Sequence, residues 1–148
     1  MLYQLLTGGI VSLVNFAIHL LMAGVIVMLT RHVAGRTDDL HVFMRLAAIQ
    51  FVTVTVLAAA HVIEIAVWAV FFHLMGISVV PDVPAFEFAF ENYVALGYGD
   101  VVAGDGWRLI GPIVSLNGLL LIGISVAIIF EVMKLVDIQI ARRRPHAR

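Results

Sequence analysis

The chain has 148 residues, 62% of them hydrophobic and only 13% charged, with a net charge of -1. A soluble domain of this size is about half apolar and about a quarter charged. The composition therefore excludes an ordinary soluble fold and leaves no room for a separate soluble domain beside a membrane part. A near-zero net charge argues against a nucleic-acid partner, and the lack of cysteine excludes disulfides and thiolate metal sites.

The first residues, Met1-Leu2-Tyr3-Gln4, carry no basic n-region, and the apolar run after them is longer than the core of a signal peptide, so it reads as a retained transmembrane helix. The first predicted span is Gly8 to Thr30, about 23 residues and long enough to cross, with polar guests at Asn15 and His19. Arg31 to Arg45 reads as a polar connection that holds Arg31, Arg36, Asp38, Asp39 and Arg45. The second span runs from Leu46 to Met75. At ~1.5 Å per residue it exceeds a ~30 Å hydrocarbon core, so it tilts or protrudes.

His61 and Glu64 lie in the middle of that second span, one turn apart. The two spans run antiparallel, which puts His19 level with His61, and Asn15 level with Glu64. Ionisable residues at membrane depth are costly and mark function by default. The cluster reads either as a proton- or metal-sensitive site or as polar glue that docks the first helix. Trp68 and His73 are expected toward the external interface.

Gly76 to Pro84 is a turn-like break with Pro81, Asp82 and Pro84. Pro84 suits the first position of a short helix, with Asp82 near its N-terminus. That helix, Ala85 to Val94, has only about ten residues, which fits a re-entrant segment better than a span. Such a segment is tolerated at membrane depth only where protein or a water-filled cavity surrounds it.

Ala95-Leu96-Gly97-Tyr98-Gly99-Asp100 follows directly. Its glycines open backbone conformations closed to other residues, and an alternating backbone turns successive carbonyl oxygens to one side. Carbonyl oxygens are hard ligands that replace the water around a monovalent cation. Val101 to Trp107 reads as a polar return loop, Leu109 to Met133 as the third span, and Lys134 to Arg148 as a basic tail. Helical spacing puts Ile122, Val126, Ile129, Phe130 and Met133 on roughly one face, a candidate gate by dewetting centred on Val126 and Phe130.

Charge sets the expected topology. Of the nine Lys and Arg, Arg31, Arg36 and Arg45 lie in the first connection, and Lys134, Arg142, Arg143, Arg144 and Arg148 lie at the C-terminus. Only Arg108 falls on the other side. The positive-inside rule makes the 31–45 connection and the tail cytoplasmic, with the N-terminus and the 95–100 loop external.

From Leu46 to Met133 the order is span, short helix, glycine-rich loop, span, and the loop contains Gly97-Tyr98-Gly99-Asp100. This stretch resembles the pore module of two-helix potassium channels of the small prokaryotic type, whose filter usually reads Thr-Val-Gly-Tyr-Gly-Asp. That filter is also the standard illustration of carbonyl coordination. The resemblance implies that Ala95, Leu96, Gly97, Tyr98 and Gly99 line ion sites. It places Glu91 as a carboxylate behind the filter, where it would brace the loop with Asp100 if the two share a proton. It also makes Gly118 the hinge glycine of the inner helix and Gly123 a second glycine below it. Two positions depart from the pattern. Ala95 lacks the threonine hydroxyl of the innermost site, and Glu87 and Phe88 stand where the family often places tryptophans.

The expected fold is therefore an all-α membrane protein with three transmembrane helices per subunit, a re-entrant pore helix and a filter loop. One loop per chain cannot close a ring, so symmetric assembly follows, and the resemblance sets the number at four. The domain reading is an extra helix and linker at 1–42, a pore module at 43–134 and a cytoplasmic tail at 135–148. The expected function is potassium-selective conduction across the plasma membrane, with no enzymatic activity, no cofactor and no metal beyond potassium ions in the filter. A cation channel of relaxed selectivity, a proton or metal transporter built on His19, His61 and Glu64, and a membrane-anchored adaptor are the alternatives. Arg142, Arg143 and Arg144 offer a patch for anionic lipid.

Overall fold

The computed structural model describes residues 1–37, 40–80, 82–97 and 99–143, without the side chains of Val80 and of 136–143. Four helices and a two-stranded ribbon follow in the order α1 (Leu2–Arg36), α2 (Val42–Leu74), β1 (Val79–Val80), α3 (Ala85–Tyr93), β2 (Val102–Ala103) and α4 (Ile110–Arg143). Three of the helices, α1, α2 and α4 as far as Leu135, are long and apolar enough to cross a membrane.

Each long helix buries one narrow stripe and leaves the rest of its apolar surface open. On α1 the stripe is Gln4, Gly8, Val11, Asn15, His19 and Ile26. On α2 it runs from Ile49 through Thr53, Leu57, Ala60 and Glu64 to Trp68 and Phe72. Polar and small residues point inward while Leu13, Leu20, Phe51 and Val70 point out. A soluble bundle has the opposite pattern. In lipid the tails solvate leucine as well as a core does, so close packing and hydrogen bonds between helices decide which face turns in.

The spans are longer than expected. α1 continues through Arg36 and α2 already begins at Val42, so the polar connection shrinks from 31–45 to a few residues. Arg45 is a buried residue of α2. Asp38 and Asp39 lie outside the described residues. α4 likewise runs through the expected boundary at 134/135, which makes the start of the tail helical. Pro84 is the N-cap of α3 rather than its first helical residue, with φ -54° and ψ 136°.

The breaks on either side of α3 hold the ribbon. Val79 pairs with Ala103 and Val80 with Val102, antiparallel. The chain therefore leaves this ribbon into α3 and returns to it after the 95–100 loop. Phe88, near the middle of α3, packs its ring 5.3 Å from Phe72. Tyr93, at the end of α3, reaches His61, three turns of α2 further from the ribbon. α3 thus inclines from the ribbon end into the middle of the bundle.

The start of α1 lies at the ribbon end too. Gln4 donates from Nε2 to the Gly106 carbonyl and accepts at Oε1 from the Leu109 amide at 3.0 Å. Tyr3 packs edge-on to Trp107, with ring centroids 5.6 Å apart. A Cβ on Gly8 would press on the Ile113 side chain, so glycine here lets α1 close on α4. Trp68, expected at an interface, is instead fully buried and donates its indole N–H to Asn117 Oδ1 at 3.0 Å. His73 is exposed near the end of α2, as an interfacial residue would be.

Candidate functional site

The 91–100 segment begins with the C-terminal cap of α3. The Ala95 amide donates to the Asn92 carbonyl at 2.9 Å and the Leu96 amide to the Glu91 carbonyl at 3.0 Å. This nested pair is the Schellman arrangement, which requires a left-handed residue at its turn. That residue is Ala95, with φ 55°, among the described residues the one non-glycine at positive φ. Gly97 at 63° and Gly99 at 78° follow in the same region. Left-handed conformations therefore recur at every second position from 95 to 99. Tyr98 lies outside the described residues.

α3 is held against α4 along small side chains. A Cβ on Gly118 would overlap the Tyr93 carbonyl, and one on Gly111 would press on Asn92 Oδ1 at 2.6 Å. Between them, the Ser115 hydroxyl donates to the Asn92 carbonyl at 2.8 Å. Gly111, Ser115 and Gly118 make a shallow groove of the small-residue type that lets membrane helices approach closely. Gly118, expected as a hinge, therefore also has a packing role. Gly123 has nothing within 4 Å of an added Cβ.

Glu91 is half-buried and Asp100 exposed. Their side chains share no hydrogen bond within the chain among the described residues. Leu96 is exposed, and so are Val126 and Phe130 on the far part of α4, Phe130 at 67%. Of the basic patch, the side chains of Arg142 and Arg143, and all of Arg144, lie outside the described residues.

A buried polar network lies directly behind the end of α3. Glu64 has no exposed side-chain surface and His19 only 1%. His19 Nδ1 lies 2.9 Å from Glu64 Oε1, and His61 Nδ1 lies 2.9 Å from Oε2. The Tyr93 hydroxyl donates to Oε2 and lies 2.8 Å from His61 Nδ1. Ser125 Oγ on α4 is 2.9 Å from His61 Nε2 and 3.4 Å from His19 Nε2. One helical turn along α1 toward the ribbon end, Asn15 donates to the Glu64 carbonyl at 3.2 Å and to Asn117 Oδ1 at 3.1 Å. The expected levels of His19 with His61, and of Asn15 with Glu64, are met: the two imidazole centroids are 5.5 Å apart.

All four helices contribute to this network, so it docks α1 on the rest of the bundle and fixes the last residue of α3. Tyr93, Ser125, Asn117 and Trp68 were not singled out from sequence as its members. Ser125 sits two turns from Gly118 on the same face of α4, and that spacing was the available signal for it. Tyr93 carried none, because one aromatic in an aromatic helix does not stand out.

A family model described as an ion channel matches residues 52–134, more than half of the chain. The match takes in most of α2, all of α3, the glycine-rich loop and most of α4, and leaves α1 outside. No curated protein and no solved structure matches the chain. With three apolar helices of spanning length, the match makes the protein a multi-pass membrane protein and a channel rather than an enzyme. The chain belongs to the ion channel family.

Proposed function

We propose that the protein is a potassium-selective channel whose ion path is a ring of carbonyl oxygens from residues 95–99 of four identical subunits. The observation that carries this reading is the left-handed backbone at Ala95, Gly97 and Gly99, within the sequence Gly97-Tyr98-Gly99-Asp100. A backbone that alternates in handedness turns its carbonyls toward one side, and such rows replace the hydration shell of a cation. In this reading α3 is a re-entrant pore helix, and its C-terminal dipole end favours cations on the path. Potassium ions in the filter are the only bound ions that conduction requires. The protein sits in the plasma membrane, and the charge bias puts the N-terminus and the loop outside and the basic end of the bundle in the cytoplasm. Glu91 and Asp100, separate within one chain, brace the loop across or beside the assembled pore. Arg142, Arg143 and Arg144 sit at the cytoplasmic surface, where they attract anionic lipid.

The second reading is a cation channel of relaxed selectivity, favoured by Ala95, which brings no hydroxyl to the innermost site. The family match supports either channel over a transporter built on His19, His61 and Glu64. Flux from proteoliposomes separates the channel readings. Potassium flux well above sodium flux, lost in Gly97→Ala, is the expected result, because the added Cβ is strained at a φ of 63°. Equal flux of both ions, also lost in Gly97→Ala, would establish the relaxed channel instead. Subunit counting by native mass spectrometry is expected to give four.

A further inference from the structure

His19, His61 and Glu64 do more than join helices. Each offers one ligand atom, and the three lie within 4.8 Å of one another. They present two imidazole nitrogens and a carboxylate oxygen, a donor set suited to zinc-class ions. Ligands around a tetrahedral zinc at bonds of ~2.0–2.1 Å stand ~3.3 Å apart. His19 Nδ1 and His61 Nδ1 lie 2.9 Å from different oxygens of Glu64, Oε1 and Oε2, so a shared ion opens those contacts by a few tenths of an ångström and draws the wider separations, up to 4.8 Å, inward. The Tyr93 oxygen, 2.8 Å from His61 Nδ1, is in place as a fourth donor. His61 is the accessible member, with 20% of its side chain exposed, which supplies a route in.

The proton count points the same way. Both imidazoles turn Nδ1 to Glu64 and Nε2 to the single hydroxyl of Ser125. If both Nδ1 atoms carry protons for the carboxylate, both Nε2 atoms are acceptors, and Ser125 has one proton for the two of them. One contact is then lone pair against lone pair at a buried site, which is costly. A cation on the Nδ1 side removes the conflict. Both Nε2–H groups then donate to the two lone pairs of Ser125, the outer-shell arrangement that orients histidine ligands at metal centres.

We infer that His19, His61 and Glu64 form a binding site for one divalent transition-metal ion per chain, which ties α1 to the end of α3 just ahead of the 95–99 loop. The site stands apart from the reading of conduction, because binding is measured without ion flux. The test uses the full chain in lipid nanodiscs, purified without a histidine tag, stripped with chelator and titrated with cobalt(II). The expected result is one cobalt per chain with the intense visible absorption of a tetrahedral site, displaced by zinc. Glu64→Gln and His19→Gln are expected to abolish that spectrum, and Ser125→Ala to weaken affinity by about 10- to 100-fold while keeping it. Zinc is also expected to raise the unfolding temperature of the unmutated protein but not of Glu64→Gln. A weak octahedral spectrum in the unmutated protein would overturn the inference, since it reports surface histidines, and needs no variant to fold. Absence of bound cobalt, with the network held by an extra proton alone, would overturn it equally. So would a tetrahedral spectrum that persists in both ligand variants.

Discussion

Ala95 is where local backbone physics meets the proposed ion path. It occupies the turn of the cap on α3 with φ 55°, a conformation that costs an L residue with a Cβ roughly 1–2 kcal/mol. Glycine is the usual occupant of that position, and a β-branched residue is the worst suited. This gives a physical reason why threonine, expected from the resemblance, does not fit this backbone. Ala95→Gly is therefore expected to stabilise the protein by about 1 kcal/mol, and Ala95→Thr to destabilise it by a similar amount. Thermal unfolding of the two variants in the same lipid checks both signs, and the reverse order would show that the cap does not govern this residue. The left-handed turns at Gly97 and Gly99 were legible in the sequence because glycine is the residue that signals them. The turn at Ala95 was not, because alanine gives no hint of positive φ.

At the scale of elements, the three long helices could be read from hydrophobic runs alone, since length and composition decide whether a segment spans. Their ends could not. Arg31, Arg36 and Arg45 read as loop residues, yet helix continues past the apolar run wherever nothing stops it. The ribbon also escaped notice: two-residue strands have no periodicity, and the pairing of Val79 with Ala103 is a long-range fact. The cluster of His19, His61 and Glu64 was visible from helical depth, but its completion by Tyr93 and Ser125 depends on how α3 seats on α4. That seating rests on Gly118, whose hydrogen atoms face the Tyr93 carbonyl. Gly118→Ala must push α3 away or bend α4, and is expected to cost about 1–3 kcal/mol, the usual range for overpacking. Gly123→Ala meets open space within the chain and is expected to cost nothing, or to gain up to about 1 kcal/mol of helix propensity. Unfolding midpoints of the two variants check the contrast. Equal effects would mean that the close approach at Gly118 carries no weight.

For the whole molecule, charge and exposure together distinguish the two ends of the bundle. The end of α1, the start of α2 and the far end of α4 lie at one end of the bundle, where Gln50 reaches the Ile129 carbonyl at 3.5 Å, and Gln4, the ribbon and the 104–109 turn lie at the other. Apolar side chains left open on α4 in a single chain must meet lipid, another subunit or the ion path. Phe130 is the largest of them below Gly123, at 67% exposure. As the candidate gate it would face the axis of the proposed tetramer, where four phenylalanines would exclude water from a narrow passage and hold it shut. On that reading Phe130→Ser would wet the passage and is expected to raise potassium flux several-fold without changing its preference over sodium, which the proposed filter at 95–99 would set. The chain has no cysteine, so Phe130→Cys adds a lone thiol whose surroundings can be probed cleanly. Charged, membrane-impermeant thiol reagents applied at the cytoplasmic side are expected to modify it and block flux. Unchanged flux in Phe130→Ser, with the introduced thiol of Phe130→Cys reached only by lipid-soluble reagents, would place this face against the bilayer. The gate would then have to be sought elsewhere along α4.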